Sequence, residues 1–486
     1  MIYKLRPYQE ECVKSISDYI NSDRHDPVLI VGPVGCGKSL LIAEAARLMG
    51  DKTLILQPSK ELLQQNHDKI TSYGIPATIY SASCGKKELS NMIYATLGSI
   101  KKVVDKLKEM GIRNVLIDEA HAGYSPEDGS EFMTFMNELK PKKVIGFTAT
   151  PCRLKTMSIG QVSYSQLNFI TRMRPVYFKN LIHVIQVEEM IRQGFWTPLK
   201  YETWDFNGDA LKLNSNGSEY TAESISEAVR KNGLNNLILR RLMVLKDVCR
   251  SILVFMDSVE SCNTAAEWMN AKICAGMAEV VHGGTPKKQR EAIVERFKSG
   301  KTKVVFNYSA LGTGFDHPGL DCVIVGRPTF SFSSFYQWLG RAVRIKDGKD
   351  SALVVDCCNN SSRFGDIRKL SIENYKGYGW GMFIGDKLIT NIPMGDKVTK
   401  TDLDIKAAKK DRRRGLAQGV TAAPVPGRPD HPLGSTVMTF GKYCGWMLHS
   451  IPVSYFKFIN ETFDWDNDRN KDIKEYIDFL IKNNRL

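Results

Sequence analysis

Eight consecutive residues, Gly32-Pro33-Val34-Gly35-Cys36-Gly37-Lys38-Ser39, spell the pattern GxxxxGK[ST]. They follow the apolar run Val28–Val31 and precede a helical pattern over Lys38–Met49, with Leu41, Ile42, Ala45 and Leu48 on one face. Glycines let backbone N–H groups turn inward around phosphate oxygens, and the helix N-terminus adds its positive end. Lys38 would reach the β- and γ-phosphates and Ser39 would ligate Mg²⁺. A chance glycine turn would not need this strand–loop–helix context. About eighty residues later stands Asp118-Glu119-Ala120-His121, directly after the apolar run Val115–Ile117. Asp118 would hold the Mg²⁺ shell, and Glu119 would orient and deprotonate the attacking water. A third pattern is Gln337-Trp338-Leu339-Gly340-Arg341-Ala342-Val343-Arg344, read as opening or spanning a helix. Arg341 and Arg344 are spaced to leave one helix face together, as stabilisation of a developing γ-phosphate charge requires. Read alone, that stretch would be an exposed basic helix.

The elements that must position these groups are short apolar runs alternating with helical stretches, the signature of parallel sheets covered on both faces. One such series fills residues 1–155. A second, with runs at Ile252–Met256, Glu279–Val281, Val304–Phe306, Cys322–Val325 and Leu353–Val355, fills 246–360. Residues 156–245 are less regular and read as a connecting region plus the entrance to the next lobe. Beyond 360 come an aromatic and basic extension with a Pro-rich linker, 361–435, and a small accessory module, 436–486. The fold expected is α/β with two lobes of parallel sheet plus the C-terminal module; the GxxxxGK[ST] loop resembles that of P-loop NTPase motors, which implies two RecA-like lobes.

In order and spacing these patterns resemble the motifs of superfamily 2 helicases over residues 1–360. Leu5-Arg6-Pro7-Tyr8-Gln9 resembles the Q-type motif, which implies that Arg6 and Gln9 serve the adenine base. Pro58–Leu62 and Ala95-Thr96 resemble strand-contacting motifs. Thr148-Ala149-Thr150 resembles the coupling motif. Val254-Phe255 with Ser258, and Ser309 through Gly314 and Asp316, resemble the corresponding motifs of the second lobe. The resemblance implies a nucleotide site drawing on Arg6, Gln9, Gly35, Gly37, Lys38, Ser39, Gly314 and Asp316, with Gln337 among the catalytic group. It implies nucleic-acid contacts from Ser59, Lys60, Thr96, Ser258 and Ser309. Such contacts position a strand without reading sequence. Ser59 could equally be a helix N-cap, and Thr96 a β-edge residue.

Within the superfamily, LRPYQ, KELLQQNH and GFWTP are similar to RadD-type bacterial helicases and phage branch-migration DNA helicases. The cysteine-rich zinc module of the RadD type has no counterpart: eleven cysteines include no CxxC pair, which suits free thiols in a reducing cytoplasm. The resemblance implies an ATP- and Mg²⁺-dependent DNA helicase or translocase acting on forked and branched DNA in replication, recombination or repair. The alternatives are an RNA helicase, a non-catalytic remodelling scaffold and the motor of a restriction complex. The net charge of +14 favours a polyanionic partner. No signal peptide and no apolar run of membrane-spanning length is visible, so the cytoplasm of a bacterial or phage-infected cell is expected; the oligomeric state is left open, with a monomer favoured. A strand-separating wedge is sought among Phe169, Tyr177, Phe178, Tyr375, Tyr378, Trp380 and Trp446, although such aromatics are more often core. The run Lys406–Arg414 is a DNA arm or a solvated linker. The segment Thr439–Trp446 resembles a small module at the end of some DNA exonucleases.

Overall fold

The computed structural model describes residues 4–50, 52–159, 162–311, 315–376, 378–407, 431–439, 443, 445–462, 465 and 470–483. Among these, two parallel sheets form two RecA-like lobes. The first lobe contributes β1 (Val28–Val31), β2 (Thr53–Leu56), β3 (Thr78–Ser81), β4 (Lys86–Lys87), β5 (Met92–Ala95), β6 (Asn114–Ile117) and β7 (Lys143–Thr148). Beyond them run the paired strands β8 (Cys152–Ile159) and β9 (Val162–Phe169), then β10 (Asn180–Val184). The sheet order is β10-β1-β7-β6-β2-β5-β3-β4, parallel except for β4. The central strands β1, β2, β5 and β7 are buried along their whole length, as sheets covered on both faces require.

The second lobe contains β11 (Leu199–Thr203), β12 (Ile252–Phe255), β13 (Ala278–His282), β14 (Val304–Tyr308), β15 (Cys322–Val325) and β16 (Ala352–Asp356) in the order β11-β16-β15-β12-β14-β13. Their pairings are all parallel.

The stretch 156–245, read as a connecting region with the entrance to the next lobe, carries regular elements of both sheets. It supplies the edge strand β10 of the first sheet, paired with β1, and the edge strand β11 of the second, paired with β16. It also supplies helices Ala222–Lys231 and Leu234–Val248, the latter burying Leu234, Ile238, Leu242 and Leu245. Edge strands carry weaker apolar patterns because one rim and part of a face stay open; β10 is exposed or half-buried throughout. The antiparallel pair β8–β9 starts at Cys152, with Pro151 between it and Thr150.

Register brings the loops together. In the first sheet Val31 lies opposite Thr148, Ile117 opposite Gly146, and Leu56 opposite both Ile117 and Ala95. The loops leaving these strands therefore share the carboxyl edge, where open α/β sheets bind ligands. In the second sheet Phe255 lies opposite Asn307 and Val325 in the same way.

A second unit comprises Tyr375–Gly379 and Thr399–Leu486. Its helices Val453–Thr462 and Lys471–Lys482 close a core that includes Met438, Leu448, Phe456, Tyr476 and Leu480. Within it Trp446 is 45% exposed and meets Tyr443 edge-on at 5.6 Å. Tyr375 bonds Asp404 through its hydroxyl, and Tyr378 is half-buried. Most of the run Lys406–Arg414, most of the Pro-rich linker and part of Thr439–Trp446 lie outside the described residues, as does Gly314. Of the remaining wedge candidates, Phe169 and Phe178 are core, Tyr177 packs on Phe132 and Phe178, and Trp380 is half-buried against the main core. No helix among the described residues is long and apolar enough to cross a membrane.

Candidate active site

The loop Gly32–Gly37 leaves β1 and returns as helix Lys38–Met49. Gly35 and Gly37 hold φ of +84° and +83°, a left-handed backbone that a side chain would strain. Gly37 also faces the Gln9 amide so closely that a Cβ would sit 2.6 Å from Nε2. Gln9 donates Nε2 to the Cys36 carbonyl at 2.9 Å and accepts the Arg6 N–H at 3.0 Å. Its amide is therefore spent on the back of the phosphate loop and is 4% exposed. Gln9 does not line the cleft where the resemblance would have it meet a base. Arg6 and Phe195 do line it, with the guanidinium 4.6 Å above the ring. Phe195 escaped the sequence reading as a site residue, since only the GFWTP string around it drew notice.

The cleft, of about 350 Å³, runs between the lobes. Gly35, Gly37, Lys38, Ser39, Asp118 and Glu119 line one side, and Asp316, Gln337, Arg341 and Arg344 the other. Lys38 Nζ lies 3.4 Å from Glu119 Oε1. Asp118 accepts Asn66 Nδ2 at 3.0 Å and the Glu119 N–H at 2.8 Å. Asn66 also reaches Gln57 at 3.1 Å; neither was anticipated.

Electrostatics separates the two acids. Burial and then the Glu119 charge push Asp118 up, to about 7. Burial also opposes ionisation of Glu119, but Lys38, His121 and Arg341 outweigh it and hold that carboxyl below its usual range. Lys38 is likewise penalised by burial yet raised, because Glu119, Cys36 and Asp118 surround it. A buried carboxylate with a neighbouring acid suits a divalent cation. No cluster of three or more His, Cys, Asp or Glu able to hold a metal exists among the described residues. The donors here, Ser39 and Asp118, fit a cation that draws its other ligands from phosphates and water.

The arginines arrive differently from expectation. Helix Phe332–Leu339 ends at Gly340, and Arg341 and Arg344 stand on the turn beyond it. The last turn tightens to bonds Arg341 N–H to Trp338 and Ala342 N–H to Leu339, so the chain leaves the helix before either arginine. Arg341 donates Nη1 to the Phe315 carbonyl at 2.7 Å, and Arg344 pairs with Asp316. Burial lowers both guanidinium groups to about 10, so both are cations at neutral pH.

Thr148 and Thr150 join the acid to the other lobe. His121 Nδ1 lies 2.8 Å from Thr148 Oγ1 and 3.3 Å from Glu119 Oε2. Ser333, at the start of the helix that precedes the arginine turn, meets His121 Nε2 at 3.3 Å and Thr150 Oγ1 at 3.2 Å. Ser333 had no signal in the sequence: between Ser331 and Ser334 in an aromatic stretch, it reads as one more surface or capping serine.

The residues expected to touch nucleic acid fall on the carboxyl edges. Ser59 caps helix Lys60–Ser72 by accepting the Leu62 N–H, beside exposed Lys60. Thr96 follows β5 and bonds Ser99 and Ser81. Ser258 caps helix Val259–Lys272, and exposed Ser309 follows β14 with φ +54°.

Residues 2–153 match the family profile described as Type III restriction enzyme, res subunit, and residues 235–346 that of the helicase conserved C-terminal domain. A 51.5 kDa protein of a Lactococcus phage is 25% identical over 332 residues, 68% of this chain and 65% of its own length. The DNA 3'-5' translocase XPB2 of Sulfurisphaera tokodaii is 25% identical over 383 residues, 72% of this chain and 81% of its own. Among solved structures, the ATP-dependent Type ISP restriction-modification enzyme LlaBIII bound to DNA aligns with a TM-score of 0.53 at 15% identity. The alignment covers 86% of this chain and 30% of that one, a likeness of fold. The chain spans between 38% and 65% of the length of its first curated relatives.

Proposed function

We propose, from the premise that the chain is built on the two motor domains of the superfamily 2 helicases, that it hydrolyses ATP with Mg²⁺ and uses the cycle to translocate on DNA. The observation that carries this reading is one cleft faced by Lys38 and Glu119 from the first lobe and by Arg341 and Arg344 from the second. Catalysis of phosphoryl transfer is mostly positioning and charge stabilisation, and both sides of the cleft bring charge to one place.

Each residue has a task. The backbone of Gly35 and Gly37 wraps the phosphates, and Lys38 neutralises the terminal ones. Ser39 and Asp118 would hold Mg²⁺, which would supply neutralisation of the phosphate charge. Glu119, ionised beside Lys38, aligns a water and takes its proton. Arg341 and Arg344 meet the charge that develops on the γ-phosphate, with Gln337 beside them. Arg6 and Phe195 take the base, and Asp316 holds Arg344 when no phosphate does. Thr148 and Thr150 tie hydrolysis to lobe movement through His121 and Ser333.

Nucleic acid is read as crossing the carboxyl edges at Ser59, Lys60, Thr96, Ser258 and Ser309, as a sequence-tolerant backbone contact. DNA is preferred to RNA because a similar chain is named a DNA translocase and a similar fold was solved on DNA. Forked and branched DNA, opened or migrated by a monomer, is the finer reading, and it rests on the resemblance of LRPYQ, KELLQQNH and GFWTP. The test is ATP turnover measured side by side with single-stranded DNA, duplex, fork, four-way junction and RNA. Stimulation by DNA above RNA, with forks or junctions unwound, is expected; stimulation by RNA alone overturns the choice of DNA.

A further inference from the structure

The chain crosses from the first sheet to the second between β10 and β11, and three consecutive side chains of that crossing each hold a different part of the cleft. Phe195 lies under Arg6 and meets Tyr8 edge-on at 5.3 Å. Trp196, 2% exposed, donates its indole N–H to the Val34 carbonyl of the phosphate loop at 2.8 Å. Thr197, also 2% exposed, donates its hydroxyl to the Arg344 carbonyl at 2.7 Å and its N–H to the Val343 carbonyl at 2.8 Å. A connector needs only length. Buried donors aimed at single carbonyls of the phosphate loop and of the arginine turn fix both.

We propose that Trp196 and Thr197 are positioning residues that set the register of the arginine-bearing turn against the phosphate loop. Neither touches the reacting atoms. They act through the main chain of Val34 and Arg344, and the role rests on the ATP-site reading above. The arginine turn has a second tether: Lys349 Nζ donates to the carbonyls of Arg344 at 2.8 Å, Ala342 at 2.7 Å and Pro318 at 3.1 Å. That tether lies wholly within the second lobe and keeps the turn folded, but it carries no information about the first. The tie between lobes at this point comes from adjacent residues of the crossing, one bonded to each side. Removing the Thr197 hydroxyl therefore leaves a folded turn that has lost part of its alignment.

The test uses the full-length protein with Thr197→Val, Thr197→Ser, Arg344→Ala and the double variant Thr197→Val/Arg344→Ala. ATP turnover at saturating single-stranded DNA, the KM for ATP and the melting temperature are read for each. Thr197→Val should lower kcat about tenfold, since sub-ångström misplacement of a charge is costly, with KM within about twofold and melting unchanged. Thr197→Ser should keep the parent rate. In the Arg344→Ala background Thr197→Val should cost clearly less than in the parent, the remainder acting through Arg341 on the same turn. Parent-like kcat in Thr197→Val, or a full multiplicative loss on top of Arg344→Ala, overturns the proposal. If Thr197→Val melts early, Trp196→Phe, which removes the indole donor together with part of the buried ring, carries the same reading, and a parent-like kcat there overturns it. Parent-like turnover of Arg344→Ala itself would instead sink the ATP-site reading, a different failure.

Discussion

Gly340→Ala should separate the two halves of the cleft without unfolding either lobe. Gly340 caps the helix Phe332–Leu339 with φ −60°, a conformation open to alanine. An added Cβ would lie 2.5 Å from Val34 Cγ2 and 2.7 Å from Val34 Cβ, with the Tyr336 carbonyl at 3.1 Å. Rotation of the valine relieves the first contact but not the second, because Cβ is fixed to the backbone of the phosphate loop. Carbon atoms rest at about 3.5–4.0 Å, so the arginine turn and the loop must part by about 1 Å. A displacement of that size between reacting groups can cost about 10²-fold in rate. Alanine is the better helix former by up to about 1 kcal/mol, so the second lobe itself should not weaken. The assay is steady-state ATP turnover at saturating single-stranded DNA, with melting temperature and affinity for a fluorescent nucleotide measured alongside. We expect turnover down about 100-fold, melting unchanged and nucleotide affinity reduced only modestly. Turnover within threefold of the parent, in a protein that melts normally, would refute the argument that the Val34–Gly340 contact sets catalytic alignment.

Three further outcomes are expected. Lys38→Ala should lower ATP turnover by at least about 10²-fold, the scale for removing one charge-stabilising donor, while DNA binding measured by anisotropy persists; turnover near the parent rate would remove Lys38 from the reaction. His317, bonded to Ser251 at 2.8 Å, is held down to about 4 by burial, with Lys346, Lys298 and Lys349 adding to it. The unfolded chain gains that proton near pH 6.5 and the native chain only near pH 4, so stability present above the unfolded value is lost as pH falls between them. Allowing for solvent screening, about 2 kcal/mol should disappear, and urea unfolding of His317→Gln at pH 7 and 4.5 should show a flatter dependence than the parent. A chain ending near residue 400 should still hydrolyse ATP at saturating DNA but bind DNA more weakly and lose preference for branches, seen as a shallower salt dependence of binding; a lower melting temperature with branch preference intact would assign the removed part a purely stabilising role.

The strings that meet in the cleft were legible because each is local. Gly32–Ser39 must be contiguous for a loop to wrap phosphates, and Asp118-Glu119 must follow a buried strand to reach the same edge. Each leaves a short string flanked by an apolar run. Both sheets were legible for the same reason, since strands buried on two faces read as continuous apolar stretches. The edge strands β10 and β11 lacked that pattern, and the region holding them read as a connector.

What only tertiary structure decided is which side chains those strings would meet. The glutamine of LRPYQ turned inward to the Cys36 carbonyl because Gly37 leaves room for its amide. The two arginines, three apart, left the helix before their spacing could matter. Ser333 and Asn66 acquired their places beside His121 and Asp118, 212 and 52 residues away in the chain. Phe195, Trp196 and Thr197 gained theirs because the chain passes between lobes there. A hydrogen bond across such a distance leaves no period and no composition in the sequence; it exists only once both partners are folded against each other.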